Sequence, residues 1–183
     1  MFSKMVVFAL QTAMSKFLIR SLGLALFVAL SSRIILVTIQ VHVFPEPDFR
    51  FWEMFFDHSP LAILKNIDWA ATKTIRLVTF TPIVEGVLFA LAIYLALKIK
   101  LPKLLIAVLV SAFAYFLHAS TGNQFYAFQA AAAFFALTIL YFYAMKSSSK
   151  PHAYGYFVTT LAHSIYNFMG VYLTSLYTLG SVF

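Results

Sequence analysis

Long apolar runs separated by short polar breaks organise this chain, with neither strand-like alternation nor a single amphipathic stripe in command. Five runs, at 21–43, 74–97, 103–119, 124–145 and 153–179, reach or approach the length of a membrane-crossing helix. About 20 apolar residues are needed to cross a hydrocarbon core of about 30 Å. The breaks differ in character. Residues 44–73 hold Glu46, Asp48, Glu53, Asp57 and Asp68 with Arg50, Lys65 and Lys73, and are interrupted by Pro45, Pro47 and Pro60. The turn at 98–103 reads Lys-Ile-Lys-Leu-Pro-Lys, the turn at 120–123 is the uncharged Ser-Thr-Gly-Asn, and the turn at 146–151 is three serines between Lys146 and Lys150-Pro151. The pattern predicts an all-α, polytopic transmembrane helix bundle of about five spans, forming one integral membrane domain over 1–183. Residues 1–19, broken by Lys4 and Lys16, are expected to add an interfacial helix, with a sixth crossing the less favoured alternative. The Phe- and Trp-rich middle of the acidic break (Phe49, Phe51, Trp52, Phe55, Phe56) is expected to form an interfacial helix or re-entrant lid. Residues 1–30 have the look of a signal peptide, but the apolar run continues through Arg33 to Val43 and no polar mature segment follows, so the segment is read as retained.

The distribution of charge orients this bundle. Positive residues concentrate in cytoplasmic loops. Lys4, Lys16 and Arg20, the turn at 98–103 and the turn at 146–150 fall on one side if five helices alternate, and the acidic break and the Gly122 turn fall on the other. The N-terminus is therefore expected in the cytoplasm. Composition agrees with a lipid solvent: 62% of the 183 residues are hydrophobic and only 10% charged, at a mean hydropathy of +0.89, which leaves too little polar surface to coat a water-facing domain. The formal charge of +7 does not indicate nucleic acid, because the basic residues sit at the ends of apolar runs, where topology and anionic lipid account for them. With no cysteine, thiolate nucleophiles, disulfides and Cys-ligated metals are excluded.

One acid breaks the pattern. Of the six acidic residues, five lie in the break at 44–73, and the sixth, Glu85, lies midway along the second run. A carboxylate at that depth is costly unless it faces a polar cavity. Arg76, nine positions away, is about 13–14 Å distant along a helix axis and a poor partner, so Glu85 requires polar groups from other helices. His118 ends the third run. His163 and Asn167 lie four apart in the fifth, on one helical face. His118, His163 and Asn167 are each singly compatible with an ordinary interhelical hydrogen bond, whereas the burial cost of Glu85 points to function; the four together predict a wet pocket inside the bundle. His42, His58 and His152 fall in loops or near run ends and receive no role.

The order Glu85, His118, then His163-x-x-x-Asn167 on successive helices resembles the CPBP family of intramembrane proteases, which includes the type II CAAX prenyl endopeptidases and bacteriocin-immunity-associated proteins. The resemblance covers residues 74–175, with Pro82 three before the Glu and Phe89 four after it. The family's Glu-Glu-x-x-x-Arg is Glu85-Gly86 here, with Ala90 at the Arg position, and the Phe four before the second-motif His is Ala114. Gly86 is read as leaving space beside Glu85 where a second carboxylate would sit. The resemblance implies an intramembrane endopeptidase in the inner or plasma membrane of a prokaryotic cell, acting on a membrane-anchored protein or peptide. It implies that Glu85 and His118 activate water and that His163 and Asn167 donate to the oxyanion, and the residues themselves lead to the expectation of a site without a cofactor. Glu85, His118 and His163 are also a plausible zinc ligand set, although His-Glu-x-x-His is absent. Two other functions fit the same residues: a non-catalytic membrane binding or immunity protein of the same fold, and a small proton-coupled transporter using Glu85 as relay, which the lack of a second intramembrane acid and of an internal repeat disfavours.

Overall fold

The computed structural model describes residues 19–32, 72–120, 124–146 and 148–180, with single positions at 34, 35, 38, 61, 64, 65 and 67. The described residues are all-helical, with no strand. Helix α1 runs Ile19–Ser32. Helix α2, Thr81–Lys98, is led in by one α-turn at Thr72–Ile75 and a π-helical turn at Arg76–Phe80. Helices α3, Lys103–Ala119, α4, Gln124–Met145, and α5, Pro151–Gly180, follow. The third and fourth apolar runs coincide with α3 and α4, the fifth differs from α5 by two residues at its start and one at its end, and the second covers α2 together with its lead-in turns, to within two residues. The first run is described as helix only over its first part. The expected interfacial helix at 1–19 and the aromatic lid at 49–56 lie outside the described residues, apart from Ile19 itself, which opens α1.

Local chemistry sets these ends. After α2 the chain closes with Lys100 N–H on the Leu97 carbonyl at 3.0 Å and Leu101 N–H on the Ala96 carbonyl at 3.1 Å. This is the paired arrangement that satisfies a helix's last carbonyls when the following residue turns left-handed. Lys100 takes that conformation, with φ of 60°, which costs a residue with a Cβ about 1–2 kcal/mol. Pro102, extended at ψ 138°, then starts α3. Pro151 opens α5, where a missing N–H loses no helical bond. Lys100→Gly is expected to raise the thermal midpoint in detergent by about 2–4 °C, the shift that about 1 kcal/mol gives a chain of this size; an unchanged or lower midpoint would contradict the strain assignment.

Helix α4 is the central element, packed on α3 and on α5, while α5 also packs on α2. Ser111 of α3 donates its hydroxyl to the Ala131 carbonyl of α4 at 2.8 Å, close enough because α4 presents small Ala127, Ala130 and Ala133 as buried residues. Tyr141 is fully buried. Its ring lies against Gly155, where an added Cβ would meet it at 3.0 Å. Phe89 stands edge-on to Phe134 and Tyr141, at 5.7 and 6.0 Å between centroids, a favoured aromatic arrangement. Helix α1 joins through Ser21, whose hydroxyl donates to the Tyr154 hydroxyl at 3.2 Å.

The exterior of the bundle is apolar. Phe27, Leu88, Phe113, Phe116 and Tyr143 are exposed. Two helical stretches, Lys73–Lys98 and Tyr126–Met145, are long and apolar enough to cross a membrane, and α1 and α3 are apolar but shorter. Helix α5 has the length but carries His152, Thr159, Thr160, His163, Ser164 and Asn167. Its polar residues turn the inside of the bundle, rather than its surface, into the place where chemistry is concentrated.

Candidate functional site

The site begins with a backbone irregularity. At the π-helical turn the Thr81 N–H bonds back to the Arg76 carbonyl, five residues away. In that register the next donor belongs to residue 82, which is proline and has none. The carbonyl of Leu77 is thereby deprived of its helical partner, and the side-chain amide of Asn167 donates to it at 2.8 Å. Asn167 thus ties α5 to the start of α2. π-Turns inside α-helices commonly occur at functional sites, and here the extra residue sets the angular position of everything that follows, Glu85 included.

Glu85 lies one turn beyond Pro82 and faces α5. Its Oε2 stands 3.7 Å from Nε2 of His163, with the Glu85 side chain 34% and the His163 side chain 10% exposed. The separation exceeds a direct hydrogen bond and suits two groups that share a water. His118, at the last turn of α3, holds its Nδ1 2.8 Å from the Ala114 carbonyl. A carbonyl only accepts, so Nδ1 carries the proton and Nε2 of the neutral ring is an acceptor. His118 is within coulombic reach of both Glu85 and His163. Phe134 of α4 packs against both imidazoles, with centroids 6.4 Å from His118 and 5.4 Å from His163.

Glu85, His118, His163 and Asn167, the four residues singled out in the sequence, all line one cavity of about 290 Å³. Sequence reasoning missed other members of its wall: Tyr126 and Gln129 of α4 and Tyr166 of α5. A signal for the first two was present, since Tyr126 and Gln129 are three apart in a helix otherwise almost without polar side chains. Tyr126 also stands edge-on to His118 at 5.4 Å. Among the described residues no three His, Asp or Glu side chains are grouped to hold one metal ion.

One expectation is overturned. Gly86 leaves no room for a second carboxylate: a Cβ there would meet the Thr160 hydroxyl oxygen at 2.5 Å and the Tyr156 ring at 3.2 Å. The glycine is the contact at which α2 approaches α5, and that approach brings Glu85 to His163. His152, given no role in the sequence, shares a hydrogen bond at Nδ1 with the Tyr141 hydroxyl at 3.1 Å, a structural bond in the first turn of α5.

The link between Asn167 and Leu77 has a measurable consequence. Asn167→Ala strips the Leu77 carbonyl of its donor, and Asn167→Asp places an acceptor against an acceptor. Hydrogen exchange across 76–83 is expected to rise in both, more in the Asp variant. Unchanged exchange would mean that the amide does not hold the π-turn.

No family model, curated protein or solved structure matches this chain.

Proposed function

We propose that this chain is an intramembrane endopeptidase of the CPBP type: a bundle of about five membrane spans, N-terminus cytoplasmic, that hydrolyses a peptide bond in a membrane-anchored protein or peptide. One observation carries the reading. Glu85 of α2 meets His163 of α5 at 3.7 Å, in a cavity that His118 and Asn167 also line. A carboxylate, two imidazoles and an amide converging in an otherwise apolar bundle are the groups water activation and oxyanion binding require. The apolar exterior and the two membrane-length stretches favour a bilayer as the surroundings.

In the proposed reaction a water bound between Glu85 and the imidazoles attacks the scissile carbonyl carbon. Glu85 takes the water's proton, aided by His118. The carbonyl oxygen becomes an oxyanion and accepts from His163 and from the second amide proton of Asn167, the first being held by Leu77. Glu85 then returns its proton to the departing nitrogen, the C–N bond breaks, and a carboxylate and an amine leave. None of these steps needs a metal. If zinc were the activator instead, Glu85, His118 and His163 are the residues that would hold it, and it would supply the acidity that generates the attacking hydroxide. Exhaustive chelation separates the two: retained cleavage supports the metal-free route, and loss restored by zinc overturns it.

The test is a map of new protein termini in membranes of cells producing the wild type or Glu85→Gln. Termini present only with the wild type support the peptidase; identical maps remove it. A non-catalytic binding protein of the same fold is the second reading, favoured by the engagement of Asn167 on the Leu77 carbonyl. It expects identical maps and a binding role unaffected by Glu85→Gln.

A further inference from the structure

Helices α2 and α3 follow one another through a short turn, and sequential antiparallel helices usually pack together. These two touch little, because α3 packs on α4 and α2 on α5. The splay leaves a second cavity, an apolar groove of about 270 Å³ between them. Leu88, Ala92 and Ala96 form one wall at intervals of four, and Leu109, Phe113 and Leu117 are among the residues of the other. At one end the groove reaches Glu85, His118 and Phe134, which it shares with the polar cavity. At the other end its walls stop at Ala96 and Ile106, short of the turn that joins the two helices and carries Lys98, Lys100 and Lys103, all exposed.

Length and charge identify an occupant. Glu85 and Ala96 are eleven positions apart, about 16 Å along the helix, close to half of a hydrocarbon core of about 30 Å. Glu85 midway along the helical stretch Lys73–Lys98 and the lysine turn at its end therefore correspond to the midplane and one headgroup layer. Lys98 and Lys103 hold their ammonium groups over the rings of Tyr94 and Phe142, at 5.3 and 5.6 Å from the centroids. An apolar channel one leaflet deep, with a turn of three exposed lysines beyond its end, is complementary to a single acyl chain beneath an anionic headgroup.

We propose that this groove binds an anionic phospholipid, its headgroup on Lys98, Lys100 and Lys103 and one acyl chain lying between α2 and α3 with its methyl end at Glu85 and His118. The assignment rests on the membrane placement proposed above and is independent of proteolysis. The lipid would seal the apolar side of the shared wall and keep water in the polar cavity.

The experiment uses the full chain in phosphatidylcholine vesicles containing phosphatidylglycerol, with a trace of phosphatidylglycerol or phosphatidylcholine photoactivatable near the chain end. After irradiation, adducts are mapped by peptide mass spectrometry. Phosphatidylglycerol adducts are expected on the groove walls around Ala92 and Phe113. They should fall about tenfold in the combined Lys98→Gln, Lys100→Gln, Lys103→Gln variant, and be lost in Ala92→Phe, which fills an exposed part of the groove. Glu85→Gln should retain them while losing cleavage, so the lipid site and the peptidase fail separately. Equal labelling by the phosphatidylcholine probe, adducts spread over outward residues such as Phe116 and Tyr143, or crosslinks from the groove to residues 1–18 or 39–60 would each overturn the proposal.

Discussion

Glu85→Gln is expected to abolish cleavage and leave the bundle intact. Glutamine keeps the size of the side chain and its contact distance to His163, but accepts no proton at neutral pH. A positioned general base contributes about 10²–10⁴-fold, so turnover should fall by at least that factor. Stability should hold or rise. The Glu85 side chain is 34% exposed and its contact with His163 is 3.7 Å, too long for a strong ion pair, and removing a charge from an apolar setting relieves desolvation. Unchanged helix content and thermal midpoint in detergent, together with lost cleavage, is the expected pair of results. Retained cleavage would sink the assignment of Glu85 as base; loss of helix content would show that Glu85 holds the fold. His118→Ala and His163→Ala should each approach the same floor, and the double variant should add little, because groups acting on one water are not additive.

Gly86→Ala is expected to lower stability sharply for a change of one methyl group. The new Cβ would lie 2.5 Å from the Thr160 hydroxyl oxygen and 3.2 Å from the Tyr156 ring. Thr160 is β-branched and cannot swing clear without leaving its rotamer, so α2 must move away from α5. Overpacking of this kind costs about 1–3 kcal/mol, a loss of several degrees in thermal midpoint. Thr160 supplies the control. Its hydroxyl is buried with no hydrogen-bond partner, so Thr160→Ala discards an unsatisfied group and clears the clash. The Gly86→Ala, Thr160→Ala pair should recover most of the loss. No recovery would mean that the contact is not what Gly86 serves. Gly86→Glu, which would restore the doubled carboxylate of the resembling family, is expected to disrupt the bundle and gain no activity, because position 86 faces α5 and has no free space.

These two neighbours, Glu85 and Gly86, show how unevenly the sequence speaks. Glu85 was legible alone: a carboxylate in the middle of an apolar run must find polar company, whatever the fold. The role of Gly86 was not, since the absence of a side chain looks the same whether it leaves room for a ligand or admits another helix. Asn167 divides in the same way. Its spacing from His163 set it on the face of α5 that meets the cavity. Its bond to Leu77 depends on a π-turn and on Pro82, ninety and eighty-five positions away in the chain.

The helices themselves were determined locally. Apolar runs of fixed length, closed by Lys-Leu-Pro-Lys and Ser-Lys-Pro turns, mark the end of α2 and both ends of α3, α4 and α5 to within a residue or two, because desolvation and proline geometry act over a few neighbours. The four candidate side chains were likewise marked by the cost of polar groups among apolar ones. Only the tertiary structure decided their partners: His163 beside Glu85, Phe134 packed on both histidines, and α2 splayed from α3 to leave a groove. Those features come from how α4 and α5 compete for the same surfaces. That competition is settled by contacts between residues far apart in the chain, where hydrophobic pattern carries no record of which apolar face meets which.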